Sequence, residues 1–284
     1  MLEVITFSGV ALDRASVERR RPEWLAGRRA DPRARAVQMS ERGIWLAGSR
    51  LLLAAPSEEA VFLGIAGDTP FFADDVSGAE PDEGGPAGLR EAATELSPDE
   101  AALAAYAGSL LAWHRRHRFC ANCGAPTEPH DAGHERHCPA CDAHHFPRTD
   151  PVVIVRVTDD RDRLLLGRQG RWPEGRFSLL AGLVEPGETL EEGVRREVAE
   201  ESGVELGEVS YIASQPWPFP SSLMLGFSAL ATGGDPAPGD NELAEVRWFE
   251  REEVERAARG EDDLALSPPY SIARRLIDAW LEAH

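Results

Sequence analysis

The chain has 284 residues, 42% of them hydrophobic, and no long apolar run, so we expect a soluble, cytoplasmic protein with two or more domains and no membrane contact. Its N-terminal stretch has no basic region ahead of the short apolar segment and does not resemble a signal peptide. The formal net charge is −19 and all 30 basic residues are arginine, which argues against a broad cationic track for nucleic acid and leaves open a small anionic ligand.

Residues 1–96 predict a small α+β domain. They mix short apolar runs with turn signals and end in the loop GAEPDEGGPAG. No chemistry can be assigned to them, and no internal repeat is evident. A helix follows, because Ser97 can cap it, Pro98 suits its first position and Glu100 completes a capping box. This linker helix and the cysteine-rich segment after it form a second predicted domain, residues 97–148.

All four cysteines of the chain lie in that second domain. They form two C-x-x-C pairs separated by 14 residues: Cys120, Cys123, Cys138 and Cys141. This spacing predicts a zinc ribbon, in which four thiolates surround one structural zinc ion. Two disulfides are the alternative, which we disfavour because nothing marks the chain as secreted. Seven of the eight histidines lie in or beside the ribbon. They could be alternative ligands, but four cysteines satisfy zinc, so we expect most of them to be solvated.

Residues 149–284 form the third predicted domain, which opens with strands and continues with an acidic helix. PVVIVRVT and RLLLGRQ predict two strands joined by a polar turn, and RFSLLAGLV predicts a third. A helix is then expected from Leu190 to Glu201. Thr189 and Glu192 form a capping box at its start, and Gly203 suits the left-handed conformation that ends a helix.

Three glutamates of this helix lie at the margin of its buried face. At about 100° per residue, Glu197 and Glu201 fall beside the apolar stripe and Glu200 is adjacent to them. Like charges at this spacing repel one another, and partial burial adds to the cost. A bound Mg²⁺ or Mn²⁺ ion would remove that conflict, since both prefer oxygen ligands. A solvated acidic helix is the alternative.

The segment SQPWPFPSS, residues 214–222, is stiff and extended. Its three prolines fix their own φ angles, donate no hydrogen bond and push the preceding residues out of the α region. Such a segment suits a rigid connector or an edge strand. Its aromatic rings also make it a candidate ligand-binding surface.

The acidic helix and the loop before it resemble the Nudix box, G-x(5)-E-x(7)-R-E-U-x-E-E-x-G-U. The fixed positions are matched in this sequence by Gly182, Glu188, Arg196, Glu197, Val198, Glu200, Glu201, Gly203 and Val204. The resemblance implies an α/β/α sandwich around a mixed sheet and hydrolysis of a nucleoside diphosphate linked to another group. On the helix, Arg196 is expected to orient glutamates. Glu188 could support a metal ligand or anchor the loop.

SQPWPFPSS after such a box resembles the signature of the NADH pyrophosphatase family of Nudix hydrolases, as does the preceding zinc ribbon. The resemblance implies metal-dependent hydrolysis of NADH or NAD⁺ to nicotinamide mononucleotide and AMP, with Glu242 as a further acidic ligand or base. The substrate-binding residues it implies are Phe146, Gln215, Trp217, Phe219, Ser222 and Ala273. Phe146 would act across a homodimer interface, and core packing is its alternative.

Leu183 departs from the family pattern, in which phenylalanine is common at the second position of the box. A leucine offers apolar contact without an aromatic face, so we expect a weaker hold on the nicotinamide. The alternative is that another ring compensates and Leu183 only packs.

Two other functions remain open at this point. The same site could remove NAD caps from the 5′ ends of RNA, or the chain could be a non-enzymatic, nucleic-acid-binding zinc ribbon protein. The intact box disfavours the second of these.

Overall fold

The structure is a computed structural model that describes residues 5–239 and 242–283. These residues form two compact units. One contains residues 6–149 and the segment 216–221, and the other contains Ile5, residues 150–215 and residues 222–283. Within the described ranges, no helix is long and apolar enough to cross a membrane.

The first unit begins with a mixed sheet of seven short strands and the helices around it. The helices are α1 (Pro22–Arg29), α2 (Leu89–Ala92) and α3 (Pro98–Arg116). The strands are β1 (Arg35–Ser40), β2 (Gly43–Ala47), β3 (Arg50–Leu51), β4 (Leu53–Ala54), β5 (Val61–Ala66), β6 (Thr69–Asp75) and β7 (Gly85–Ala87). Strand β1 is parallel to β6 and antiparallel to β2. This arrangement confirms the α+β class expected for this part of the chain.

Helix α3 begins where the capping signals predict. The Ser97 hydroxyl accepts a hydrogen bond from the backbone N–H of Glu100 at 3.3 Å, and Pro98 occupies the first turn. Its small alanine side chains are buried. The chain then enters a three-stranded ribbon sheet, formed by β8 (Glu128–His130), β9 (Glu135–His137) and β10 (His144–His145) in the order β10-β9-β8.

The second unit is a six-stranded mixed sheet covered by helices. Its strands are β11 (Asp150–Thr158), β12 (Leu164–Gln169), β13 (Leu180–Leu183), β14 (Glu205–Trp217), β15 (Ser222–Gly233) and β16 (Leu243–Phe249). Its helices are α4 (Leu190–Ser202), α5 (Arg251–Ala258) and α6 (Ile272–Leu281). The strand order is β14-β15-β11-β12-β16, with β13 against β11. The three predicted strands and the predicted acidic helix are confirmed.

Strand β11 divides the core of the second unit into two layers. Because side chains alternate along a strand, Val153, Val155 and Val157 lie on one face with Val194 and Val198 of α4. Ile154 lies on the opposite face in a cluster to which α5 and α6 also contribute. Helices therefore cover both faces of the sheet, which confirms the α/β/α sandwich.

The two sheets share one topology, a repeat that the sequence did not reveal. In each, a central parallel pair (β1 with β6, β11 with β15) is extended by one further strand on each side. The outer pairings also correspond, since β7 lies against β2 as β16 lies against β12. The units differ between the third and fourth matched strands, which are β4 and β5 in the first unit and β13 and β14 in the second. Residues 55–60 form a short connection in the first unit, whereas α4 occupies that place in the second.

Gln215 joins the edge strand β14 to the start of α6. Its side chain is fully buried. The side-chain amide donates to the carbonyl of Tyr270 at 2.7 Å and accepts from the N–H of Ile272 at 2.7 Å. One side chain therefore satisfies two backbone groups near the helix start.

We expect Gln215→Leu to lower the free energy of unfolding by roughly 2–4 kcal/mol, because it leaves two buried backbone groups without these partners. Gln169→Leu is the matched control, since among the described residues that side chain bonds only to the exposed Arg171, and we expect a change within about 0.5 kcal/mol. Chemical denaturation of both variants measures the difference. Equal effects would show that the Gln215 bonds do not stabilise this junction.

Candidate active site

Helix α4 positions the candidate site, and its ends are set by local sequence. The Thr189 hydroxyl accepts from the N–H of Glu192 at 3.2 Å, and the Glu192 carboxylate accepts from the N–H of Thr189 at 2.7 Å. Gly203 ends the helix with a φ of +70°. The capping box and the glycine stop are therefore confirmed.

Arg196 fixes the loop before α4 through Glu188. Its Nε and Nη2 atoms donate to the two oxygens of Glu188 at 3.0 and 2.7 Å. Glu188 also accepts from the N–H of Glu185 at 2.7 Å. The hydrogen bonds from Arg196, followed by that of Glu185, lower the pKa of Glu188 to about 2. These contacts fit both interpretations of Glu188, because the bond from Glu185 anchors the loop and Arg196 also binds glutamates of the helix.

The same guanidinium holds two glutamates of the helix. Nη1 of Arg196 donates to Oε1 of Glu197 at 2.9 Å and to Oε2 of Glu200 at 3.0 Å, while Nη2 donates to the carbonyl of Leu183 at 2.9 Å. Arg196 therefore binds one oxygen of each of these carboxylates and links α4 to strand β13. This confirms that Arg196 orients glutamates.

Gly182 makes room for the carboxylate of Glu197. A Cβ atom at position 182 would lie 1.8–2.0 Å from the three carboxylate atoms of Glu197, far inside contact distance. Gly182 lies in β13 opposite Val153. The glycine of the box is thus required by the close approach of a side chain to the strand.

The glutamates differ in burial. Glu201 is 3% exposed, Glu197 is half-buried, and Glu200 and Glu242 are exposed. Burial raises the pKa of Glu197; Arg196 opposes the rise, while the charges of Glu200 and Glu242 add to it. Glu242 therefore acts electrostatically on the glutamates of α4.

The donor set of this site fits a divalent cation. It offers carboxylate oxygens alone, which Mg²⁺ and Mn²⁺ prefer. A cation would also offset the burial of Glu201, and it would offset the burial and the neighbouring negative charges that raise the pKa of Glu197. Nudix domains imply such a metal ion, and the residues of this chain are suited to hold one.

The aromatic residues of SQPWPFPSS form a cluster within the first unit. The rings of Trp217 and Phe219 lie edge to face with centroids 5.0 Å apart, and Phe7 approaches both. The guanidinium of Arg90 lies 4.1 Å from the centroid of Phe219. The segment closes β14 at the edge of its sheet, where a proline removes no interior ladder bond.

The other predicted substrate-binding residues occupy different environments. Phe146 is 65% exposed, so the alternative that it packs in the core is wrong, and Leu183 is 58% exposed, which leaves open whether another ring compensates for it. Ser222 is half-buried at the start of β15. Ala273 is buried at the start of α6. On either side of it, the N–H of Ile272 donates to the side chain of Gln215 and the N–H of Arg274 donates to the hydroxyl of Ser271. Roles for these residues and for Gln215 in substrate binding stay predictions.

The four cysteine sulfurs converge. All four lie within 4.8 Å of one another, with Sγ–Sγ distances of 3.6 Å for Cys120 and Cys141 and 3.5 Å for Cys123 and Cys138. A zinc ion with Zn–S bonds of about 2.3 Å needs sulfurs about 3.8 Å apart, so the cluster fits. The cysteines are free thiols, which contradicts the disulfide alternative. Although burial raises the pKa of Cys120, N–H groups of Cys123 and Asn122 lower it to about 6, which favours the thiolate.

The histidines around the ribbon are less uniform than expected. His130 and His144 are exposed, as the prediction of solvated side chains requires. His114 and His134 instead bind the carbonyls of Gly133 and Phe62 at 2.7 and 2.8 Å, and burial lowers the pKa of each to about 4. For these two the prediction is wrong, because their partners are distant in sequence and could not be read from the local pattern.

Comparison with known families accounts for most of the chain. The matching models are an NADH pyrophosphatase-like rudimentary NUDIX domain over residues 17–113, an NADH pyrophosphatase zinc ribbon domain over residues 115–146 and a NUDIX domain over residues 147–268. The first of these was missed by sequence reasoning. The signal for this match is the sheet topology that the two units share. The described residues of the first unit contain no counterpart of α4, which agrees with the description of the matching model as rudimentary.

Individual relatives match over different shares of their length. NAD-capped RNA hydrolase NudC of Mycobacterium bovis (strain BCG / Pasteur 1173P2) is 41% identical over 297 residues, covering 96% of this chain and 93% of that protein. Human NAD-capped RNA hydrolase NUDT12 is 46% identical over 198 residues, covering 66% of this chain and 43% of that protein, so the match spans less than half of it. A Nudix hydrolase structure from Nitrosomonas europaea is 25% identical, covers 59% of this chain and 92% of its own, and has a TM-score of 0.49.

We expect Gly182→Ala to reduce the rate of pyrophosphate-bond hydrolysis by at least about 10²-fold, because the new methyl group displaces the Glu197 carboxylate. Gly170→Ala is the matched control, since among the described residues its Cβ would meet only Ala244, at 3.8 Å. Steady-state kinetics, with circular dichroism to verify folding, measures both variants. Similar activity in the two would show that Glu197 tolerates displacement.

Proposed function

Because this chain belongs to the NADH pyrophosphatase family of Nudix hydrolases, we propose that it hydrolyses the pyrophosphate bond of NADH or NAD⁺. Water adds across the P–O–P linkage, releasing nicotinamide mononucleotide and AMP. The observation that carries the proposal is the assembled glutamate helix, in which Arg196 holds Glu188, Glu197 and Glu200 while Glu201 is buried beside them.

In this proposal Glu197, Glu200, Glu201 and Glu242 hold one or more Mg²⁺ or Mn²⁺ ions. When bound, such an ion neutralises phosphate charge and lowers the pKa of a coordinated water. Arg196 contributes through the carboxylates it holds and need not contact phosphate. Its anchoring of Glu188 keeps the loop in place before substrate arrives, so little ordering is required on binding.

We further propose that Cys120, Cys123, Cys138 and Cys141 hold one structural zinc ion per chain. Four thiolate ligands close the coordination sphere and leave no position for substrate. The working form in this proposal is a cytoplasmic homodimer, to which Phe146 contributes an exposed ring.

NAD-capped RNA is the second candidate substrate. Both named relatives are NAD-capped RNA hydrolases, and an NAD cap carries the same pyrophosphate bond. The net charge of −19 disfavours only extensive contacts with the transcript. The non-enzymatic interpretation is disfavoured by the complete box and its assembled side chains.

The test compares free NADH, ADP-ribose and NAD-capped RNA as substrates of one preparation with saturating Mg²⁺ or Mn²⁺. We expect turnover of NADH and of the capped RNA. Glu201→Gln should reduce both by about 10²-fold or more, because it removes a negative ligand while keeping the side-chain shape. Glu191→Gln, an exposed position in the first turn of the same helix, should be close to wild type. Absence of turnover with every substrate, or normal activity of Glu201→Gln, would contradict the proposal.

We propose that Leu183 binds the nicotinamide of the substrate more weakly than the phenylalanine that is common at this position. Its side chain is 58% exposed at the end of β13 and provides no aromatic face. We expect Leu183→Phe to lower the Michaelis constant for NADH several-fold, since an aromatic pairing contributes roughly 0.5–1.5 kcal/mol. ADP-ribose lacks the nicotinamide, so its hydrolysis should change little. Equal effects on the two substrates, or no effect on either, would refute this role for position 183.

A further inference from the structure

One face of the ribbon sheet carries imidazoles that the cysteine cluster does not use. His137 of β9 and His144 of β10 are directly opposite each other in the antiparallel register. Their ring centroids are 5.0 Å apart, and the ring of His130 lies 5.1 Å from that of His137. Cross-strand partners point to the same face of a sheet, so the three rings form a continuous row.

A carboxylate joins this row because the two knuckles of the ribbon, residues 120–124 and 138–142, end in different residues, the first in Gly124 and the second in Asp142. The knuckles have matching backbone bonds, from Gly124 N–H to Cys120 O and from Asp142 N–H to Cys138 O, both at 2.9 Å. Both positions have a left-handed backbone, with φ values of +76° for Gly124 and +59° for Asp142. Glycine adopts this conformation without strain. Aspartate at the second knuckle accepts a less favourable backbone and places a carboxylate beside the histidines.

The side chains are close enough to share one ion. Donor atoms of His137, Asp142 and His144 all lie within 4.8 Å of one another. Nε2 of His137 lies 2.7 Å from Oδ1 of Asp142. Nδ1 of His144 hydrogen-bonds to the carboxylate of Glu135, an arrangement that orients the imidazole of a metal ligand. The side chains of Asp142 and His144 are 89% and 51% exposed, so an ion could enter from solvent.

We propose that His137, Asp142 and His144 bind a second transition-metal ion, separate from the four-cysteine cluster and from the glutamates of α4. Two imidazoles and one carboxylate suit Zn²⁺, Co²⁺, Ni²⁺ or Cu²⁺ rather than Mg²⁺ or Ca²⁺. Three protein ligands leave an open position for water or an external donor. The ion is therefore exchangeable, unlike one enclosed by four thiolates.

A metal ion bound at this site would also stabilise the second knuckle. His137 directly precedes Cys138, and Asp142 directly follows Cys141. An ion held by both residues would close this knuckle from outside, and His144 would tie it to β10. Binding of the second ion should therefore raise the thermal stability of the ribbon.

The test uses full-length protein that contains one zinc per chain by elemental analysis, in excess Mg²⁺ to occupy the glutamates. Titration calorimetry with Ni²⁺ should show one site per chain, and elemental analysis after desalting should still find the original zinc. His144→Gln and Asp142→Gly should each weaken Ni²⁺ binding by at least 10-fold, and the double variant should abolish it. Asp142→Gly reproduces the residue of the first knuckle, so the ribbon is expected to keep its zinc.

His117→Gln is the matched control, because it removes an imidazole of the same unit that bonds to the carbonyl of Trp113 outside the row. Its Ni²⁺ affinity should equal that of wild type. Unchanged affinity in the His144 and Asp142 variants, or Ni²⁺ uptake matched by loss of zinc, would overturn the proposal.

A measurement on the wild-type protein covers the case in which a variant loses its ribbon zinc. Bound Ni²⁺ is paramagnetic and should broaden the imidazole resonances of His137 and His144 first. Broadening that begins elsewhere would place the ion at another site and refute the assignment. Pyrophosphate hydrolysis is not a readout here, so the result is independent of the proposed function.

Discussion

The candidate site depends on one guanidinium group. Arg196 binds Glu188, Glu197, Glu200 and the carbonyl of Leu183, and so joins the loop, the helix and strand β13. Its hydrogen bonds with Glu188, followed by those with Glu197 and Glu200, outweigh the effect of burial and raise the pKa of Arg196 well above its ordinary value. Without this charge, carboxylates at adjacent helical positions would repel one another and turn to solvent. The arginine therefore prepares an anionic site that can receive a cation.

The two sheets show that the same strand pairings form with and without the glutamate helix. Both have a central parallel pair with corresponding flanking strands, but among the described residues only the second unit has a helix, α4, before its fourth matched strand, β14. The first unit has the short connection 55–60 at that place. The sheet is maintained by strand pairing and apolar packing, which residues of many kinds can provide. The site requires particular carboxylates on a particular helix, and residues 55–60 of the first unit provide no such helix.

In the ribbon, the residue that meets a backbone requirement also determines which side chain lies beside the histidines. Each knuckle needs a left-handed residue after its second cysteine, and Gly124 meets that need without strain. Asp142 meets it less favourably but presents a carboxylate to His137 at 2.7 Å. The residue after the second cysteine is therefore where the two knuckles differ in chemistry that a metal ion could use. It makes one edge of the ribbon a plain turn and the other a set of metal-ligand side chains.

The sequence alone determined the features that depend on neighbours along the chain. Helical caps bounded α4, cysteine spacing predicted the ribbon, and the 3.6-residue period brought Glu197 and Glu201 to the core margin. Tertiary structure decided the features that depend on distant partners. It buried Gln215 against the start of α6, turned His114 and His134 toward backbone carbonyls and gave both sheets the same strand order. Caps and periods act within a few residues, whereas these contacts arise only when segments far apart in the chain pack together.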